Sequence, residues 1–179
     1  MANILVNQLM NSKEEIIDKV YKLAFKYEAE RGSCPQCVYS AIMEVFGFGN
    51  PDTVQAVDGL AGGTALSTKG TCGALVGGIM ALSTIVGRSY KDFSKGERRR
   101  RVFFYAKKLY DKFTNEYYSP ICADIHKKLF GRTFDLLNPD DYAEFDRLGA
   151  HVDKCPEVSG KVAMWTAEIL LNDLKIEPK

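Results

Sequence analysis

The feature that most restricts this chain is a helix-start signal that recurs along its whole length, with no strand pattern to compete with it. Ser12-Lys13-Glu14-Glu15 and Ser94-Lys95-Gly96-Glu97 both read as capping boxes. In such a box a serine hydroxyl and an acidic side chain three residues on satisfy each other's free backbone N–H groups. Proline, pre-organised for the first helical position, follows Cys34, Asn50, Ser119, Asn138 and Cys155. Behind the first box Ile16, Ile17, Val20, Leu23, Ala24 and Tyr27 recur at helical spacing, and Gly32 supplies a left-handed stop. The same reasoning predicts helices over 35–46, from 51 into the glycine-rich stretch 59–70, over 72–86 with Thr71 as cap, and then over 94–117, 119–131, 138–149 and 155–174. No segment alternates apolar and polar residues between turn signals. The expectation is an all-α, single-domain helical bundle of about seven to eight helices. In it, residues 1–32 form an N-terminal helix and 33–179 a four-cysteine helical domain.

With 179 residues and a 46% hydrophobic fraction, the chain has enough apolar surface for a core without disulfide staples. Its formal charge of +1 predicts no strong overall field, so nothing in bulk electrostatics calls for nucleic acid or an anionic membrane. The N-terminal residues carry no basic region ahead of a long apolar run, and the apolar stretch 74–86 is too short to span a bilayer. A cytoplasmic protein without membrane insertion is the expectation. In that reducing setting, five cysteines point to metal, catalysis or redox chemistry rather than to structural bridges.

All five cysteines fall at predicted helix starts. Cys37 and Cys122 each lie two residues beyond a proline, Cys72 and Cys155 sit at or beside an N-cap, and Cys34 immediately precedes Pro35. The first turn of a helix has unpaired N–H groups and the positive end of the macrodipole. A thiolate there is favoured over the thiol, so lowered pKa values are expected. A single cysteine is commonly a small apolar filler. Five at helix starts favour one shared, anion-stabilising site.

The segment Cys72-Gly73-Ala74-Leu75-Val76-Gly77, with Cys37 upstream and Cys122 and Cys155 downstream, resembles the redox-active protein family C_GCAxxG_C_C. That family is marked by four ordered cysteines and a Cys-Gly-Ala-x-x-Gly motif. The resemblance extends over roughly 33–171 and includes the glycine-rich lead-in at Gly59, Gly62 and Gly63. It implies a redox role, and a related domain occurs beside an iron–sulfur cluster in split-Soret cytochromes. Family members are often encoded near transporters, which implies a functional link to one. The haem attachment signal Cys-x-x-Cys-His is missing here, so haem is not carried over. Cys34 is a departure, turning the first cysteine into Cys34-Pro35-Gln36-Cys37.

Three chemistries suit these residues. Four separated thiolates at Cys37, Cys72, Cys122 and Cys155 match the ligand count of a [2Fe–2S] or [4Fe–4S] cluster, serving electron transfer or redox sensing. A metal-free thiol–disulfide protein would use the pair Cys34 and Cys37. A zinc-stabilised interaction module is the third reading. An oxidoreductase component, a redox partner protein and a homodimer are all compatible with the sequence.

The other residues read more plainly. His126 and His151, four residues from Cys122 and Cys155, read as surface or helix-end groups. Gly73, Gly77 and Ala81, four apart, read as a stripe that admits a neighbouring helix rather than as a phosphate loop. The run Arg98-Arg99-Arg100-Arg101 reads as a solvated surface, which with Lys95, Lys107, Lys108 and Lys112 forms a basic face suited to an acidic partner. Tyr105, Tyr110, Phe113, Tyr117 and Tyr118 are expected in the core or at a dimer contact, and Trp165 as an anchor of the last helix.

Overall fold

The computed structural model describes the backbone of residues 2–179 and side chains from Ser12 onward. Its described residues form nine α-helices and no strand. They are α1 (Ala2–Arg31), α2 (Cys34–Phe46), α3 (Pro51–Ala56), α4 (Gly73–Val86), α5 (Tyr90–Ser94), α6 (Arg101–Tyr117), α7 (Cys122–Phe130), α8 (Pro139–Arg147) and α9 (Cys155–Glu168). Wider helical turns, Ala150–Lys154 and Ile169–Asp173, extend α9 at both ends. Helices α1, α2, α4 and α9 pack on one another, and α6 closes the group against α4 and α9. Val20 and Ala24 of α1, Val38 and Ile42 of α2, Leu75 and Leu82 of α4, and Val162 of α9 are fully buried in one core. The N-terminal helix is thus built into the same core as the rest. A smaller cluster joins Phe134 and Leu136, from the segment between α7 and α8, to Phe145 and Ala150.

Several start signals act as expected. Asn50 caps α3 by accepting from the Thr53 N–H, and Asn138 caps α8 by accepting from Asp140 and Asp141. The two capping boxes do not. Ser12 lies inside α1, whose backbone is helical from Ala2; a cap needs non-helical backbone before it. The helix expected over 94–117 is split in two. Ser89 caps α5, and Gly96, at φ +72°, turns the chain out of helix. Arg99 folds back onto Asp92 at 2.8 Å and Glu97 at 3.4 Å, and α6 starts only at Arg101. Within α6, Phe113 and Tyr117 are core residues while Tyr118, just past its end, is 84% exposed. Trp165 packs on the main core in an edge-type contact with the Tyr117 ring.

The small-residue stripe on α4 receives the first turn of α2. A Cβ at Gly77 would lie 2.5 Å from the Pro35 carbonyl oxygen, and one at Gly73 would lie 2.8 Å from Cys34 Sγ. Ala81 continues the stripe, fully buried. Because the neighbour at Gly77 is backbone, it cannot swing aside as a side chain could. Gly77→Ala is expected to destabilise the fold by about 1–3 kcal/mol through overpacking. Gly59→Ala, which meets nothing within 4 Å, should be near neutral. Urea denaturation of the two variants checks this; equal midpoints would remove the packing role assigned to Gly77.

Candidate functional site

Two of the cysteine-bearing helices are tied together at their starts. Thr71 and Ile121 form an isolated antiparallel bridge. Around it the Cys72 N–H donates to Pro120 O at 2.8 Å, and the Cys122 N–H donates to Gly70 O at 3.0 Å. The bridge sets the N-termini of α4 and α7, and so Cys72 and Cys122, side by side. Cys34, the first residue of α2, enters from the third side through the notch left by Gly73. The loop over 61–70 folds across the site, with Gly62 and Gly63 at φ +57° and +71°. A Cβ on Gly63 would lie 2.7 Å from Cys122 Cβ, so only glycine lets the loop pass this close. Cys155 opens α9 on the fourth side.

Cys34, Cys72, Cys122 and Cys155 all line one cavity of about 180 Å³. Cys37 does not. It is buried behind the wall, where its thiol donates to Gly32 O at 2.8 Å, and burial, with the nearby Glu28 charge, raises its pKa. Of the two thiols in Cys34-Pro35-Gln36-Cys37, the structure therefore brings Cys34 to the other three. The reason is local: Gly73 vacates space beside the first residue of α2, not one turn further on.

The electrostatics reverse the expected direction of the thiol shifts. Burial pushes Cys72 and Cys122 up to about 12, and it also raises Cys34 and Cys155 well above the ordinary range. The negative charges of the neighbouring thiolates and of Glu28 add to the effect, because each sulfur lies within reach of the others' charge. Backbone N–H groups act in the opposite direction: those of Ala74 and Leu75 at the start of α4 favour the Cys72 thiolate, and that of Gly62 in the 61–70 loop favours the Cys34 thiolate. They are outweighed. At neutral pH the reduced site is therefore a set of neutral thiols. Only a change that removes their protons, by metal binding or by oxidation, makes them ligands or disulfides.

Three further side chains on the cavity wall were not recognised from the sequence as site residues. Glu28 is 2% exposed, accepts from Ser159 Oγ at 3.2 Å, and has its pKa raised by burial. Its signal was an acid one helical turn after Ala24 on the apolar face of α1. His126 is not a surface group, whereas His151 is a half-buried residue in the turn that leads into α9, at a helix end as expected. His126 is 3% exposed, with Nε2 3.6 Å from Cys122 Sγ and Nδ1 without a partner, enclosed by Phe130, Phe134 and Phe145. Burial lowers its pKa to about 4, so the ring is neutral. His151 is held through Nδ1 by Asp146 Oδ1 at 2.6 Å. The four-residue spacing from Cys122 and Cys155 was the clue, since it puts each histidine one turn from a cysteine on the same face. Among the described residues, no group of three or more His, Cys, Asp or Glu side chains is arranged to hold a single metal ion.

Over residues 32–169 the chain matches the family described as "putative redox-active protein (C_GCAxxG_C_C)". It belongs to that family. Glu28 and Arg31, which also line the cavity, lie just outside the matched span. No curated protein and no solved structure matches the chain. Among the described residues, no helix is long and apolar enough to cross a membrane.

Alkylation of the reduced, metal-free protein tests the thiol electrostatics. At pH 8 a thiol at about 12 holds roughly a thousand-fold less thiolate than one at the ordinary 9.0. Carbamidomethylation at Cys72 and Cys122, followed by mass spectrometry, should therefore be slow at pH 8. Its rate should rise about tenfold per pH unit through pH 10. A rate that levels off near pH 9 would contradict the shifts.

Proposed function

We propose that this member of the redox-active family carries an iron–sulfur cluster on Cys34, Cys72, Cys122 and Cys155 and serves in electron transfer or redox sensing. The observation that supports the reading is the arrangement of these four thiols, each from a different helix, around one cavity of about 180 Å³. Both common cluster types take four thiolates, and when bound the group supplies a one-electron couple. Four thiols that surround a space, instead of converging on one point, favour a multi-atom centre over a single zinc ion. The family's redox description agrees with a redox role for the site.

Each residue has a part in such a site. Cys34, Cys72, Cys122 and Cys155 would hold the group. The N–H groups of Ala74, Leu75 and Gly62, which already point at sulfur, would stabilise it in the anionic form. His126 sits against Cys122 as a neutral ring, and its aromatic surround keeps water from that sulfur. Because the thiols hold their protons tightly, loading must displace them, and it weakens as pH falls.

Iron and acid-labile sulfide analysis, with EPR after reduction, tests the proposal on anaerobically purified protein. Wild type is expected to hold both elements. Cys34→Ser, Cys72→Ser, Cys122→Ser and Cys155→Ser should each lose most of the iron, whereas Cys37→Ser should retain it. An iron-free protein that cannot be reconstituted, but shows a defined disulfide potential, would instead favour the metal-free dithiol reading. Stoichiometric zinc without iron would favour the interaction module.

A further inference from the structure

The opposite end of α4 from Cys72 carries a second feature, which owes nothing to the thiols. A groove of about 730 Å³ lies between the end of α4, α5 and the start of α6. Its walls include Arg88, Arg98 and Arg100 together with the rings of Tyr90, Phe93 and Phe103. These three rings are 83%, 59% and 66% exposed, and Phe104 beside them is 60% exposed. Large aromatic rings so exposed in one patch mark a binding surface rather than ordinary scatter.

The charge here is unbalanced. Residues 88–101 hold seven basic and two acidic side chains, a local +5 in a chain whose formal total is +1. Both acids are occupied by Arg99, while Arg98 and Arg100 have no carboxylate partner among the described residues. The Arg88 guanidinium lies over the Phe93 ring at 4.7 Å and donates to Glu97 O. The first turn of α6 has no acidic residue and no side-chain cap, so its positive end is uncompensated as well. By contrast, three of the four lysines of the expected basic face are paired with carboxylates. Lys107 pairs with Asp111, Lys108 with Asp173 and Lys112 with Glu168. The basic face expected along α6 therefore contracts to the groove.

We propose that this groove docks an acidic protein segment bearing an apolar or aromatic anchor, with carboxylates on Arg98 and Arg100 and the anchor among Tyr90, Phe93 and Phe103. Arginine and aromatic residues are the types enriched at protein interfaces. The surface is concave, which suits an inserted segment better than a flat bilayer. The groove lies about 20 Å from the cavity, the length of α4 at 1.5 Å per residue. A partner held here touches no thiol, so the contact positions or recruits the protein without taking part in its redox chemistry.

Fluorescence anisotropy with the full chain tests this, using a labelled dodecapeptide that alternates glutamate pairs with phenylalanine. Saturable binding is expected, weakened about tenfold or more by Arg98→Glu/Arg100→Glu and about fivefold by replacing the peptide phenylalanines with glycine. It should also weaken steeply between 50 and 500 mM NaCl. Both arginines are exposed, and an unchanged circular dichroism melting curve checks that the variant still folds. Absence of saturable binding, or binding indifferent to the arginine substitutions, overturns the proposal. Tighter arginine-dependent binding to phosphatidylserine vesicles or to poly-uridine overturns it in favour of a membrane or RNA. Self-association abolished by the same double variant overturns it in favour of a second copy of the chain.

Discussion

How closely α2 can lie against α4 governs the rest of the site. At Gly77 the Pro35 carbonyl occupies the space a side chain would take, and at Gly73 the Cys34 sulfur does the same. A glycine inside a helix costs about 0.5–1 kcal/mol relative to alanine. That cost is offset here by burying the apolar face of α2, including Val38 and Ile42, against Leu75 and Ala81. The same contact fixes where the first residue of α2 points. The motif Cys-Gly-Ala-x-x-Gly is thus a packing device as much as a chemical one: its cysteine faces the cavity, and its glycines admit the helix that brings another.

Burial, not helix polarity, decides the state of the thiols. A helix N-terminus stabilises a negative charge by about 0.3–1 kcal/mol, and up to ~2 in favourable geometry. Raising a thiol from an ordinary value of 9.0 to about 12, as at Cys72 and Cys122, corresponds to roughly 4 kcal/mol against the anion. The dipoles therefore lose while the site holds only protons. Once the protons are displaced, the same N–H groups at Ala74, Leu75 and Gly62 favour the anionic sulfur.

The two ends of α4 carry different properties. At its start lie the thiols, the buried Glu28 and the His126 ring, in surroundings that exclude charge. Near its end the surface gathers unpaired arginines and exposed rings. Keeping them about 20 Å apart leaves the buried site undisturbed by whatever meets the charged one.

Much of this was legible in the residues themselves. Proline, asparagine and glycine punctuation located most helices because capping and chain reversal are local effects, and the ordered cysteines pointed to the family. The capping boxes misled because they are equally local. Ser12 carries the right side chain but lies in a helix that already runs through it, and Ser94 is followed by Gly96 at positive φ and by Arg99 turned back onto Asp92. Cys34 and Cys37 could not be told apart from the sequence. Three residues on a helix differ by only about 60° in direction and one turn in height, so both share a face. The notch at Gly73 selects Cys34, and the Gly32 carbonyl holds Cys37 away. The sequence by itself determined an all-helical chain with thiols at helix starts. Which thiols meet, and that they meet as neutral groups, was decided by tertiary packing, because burial and close approach depend on residues far apart in the chain.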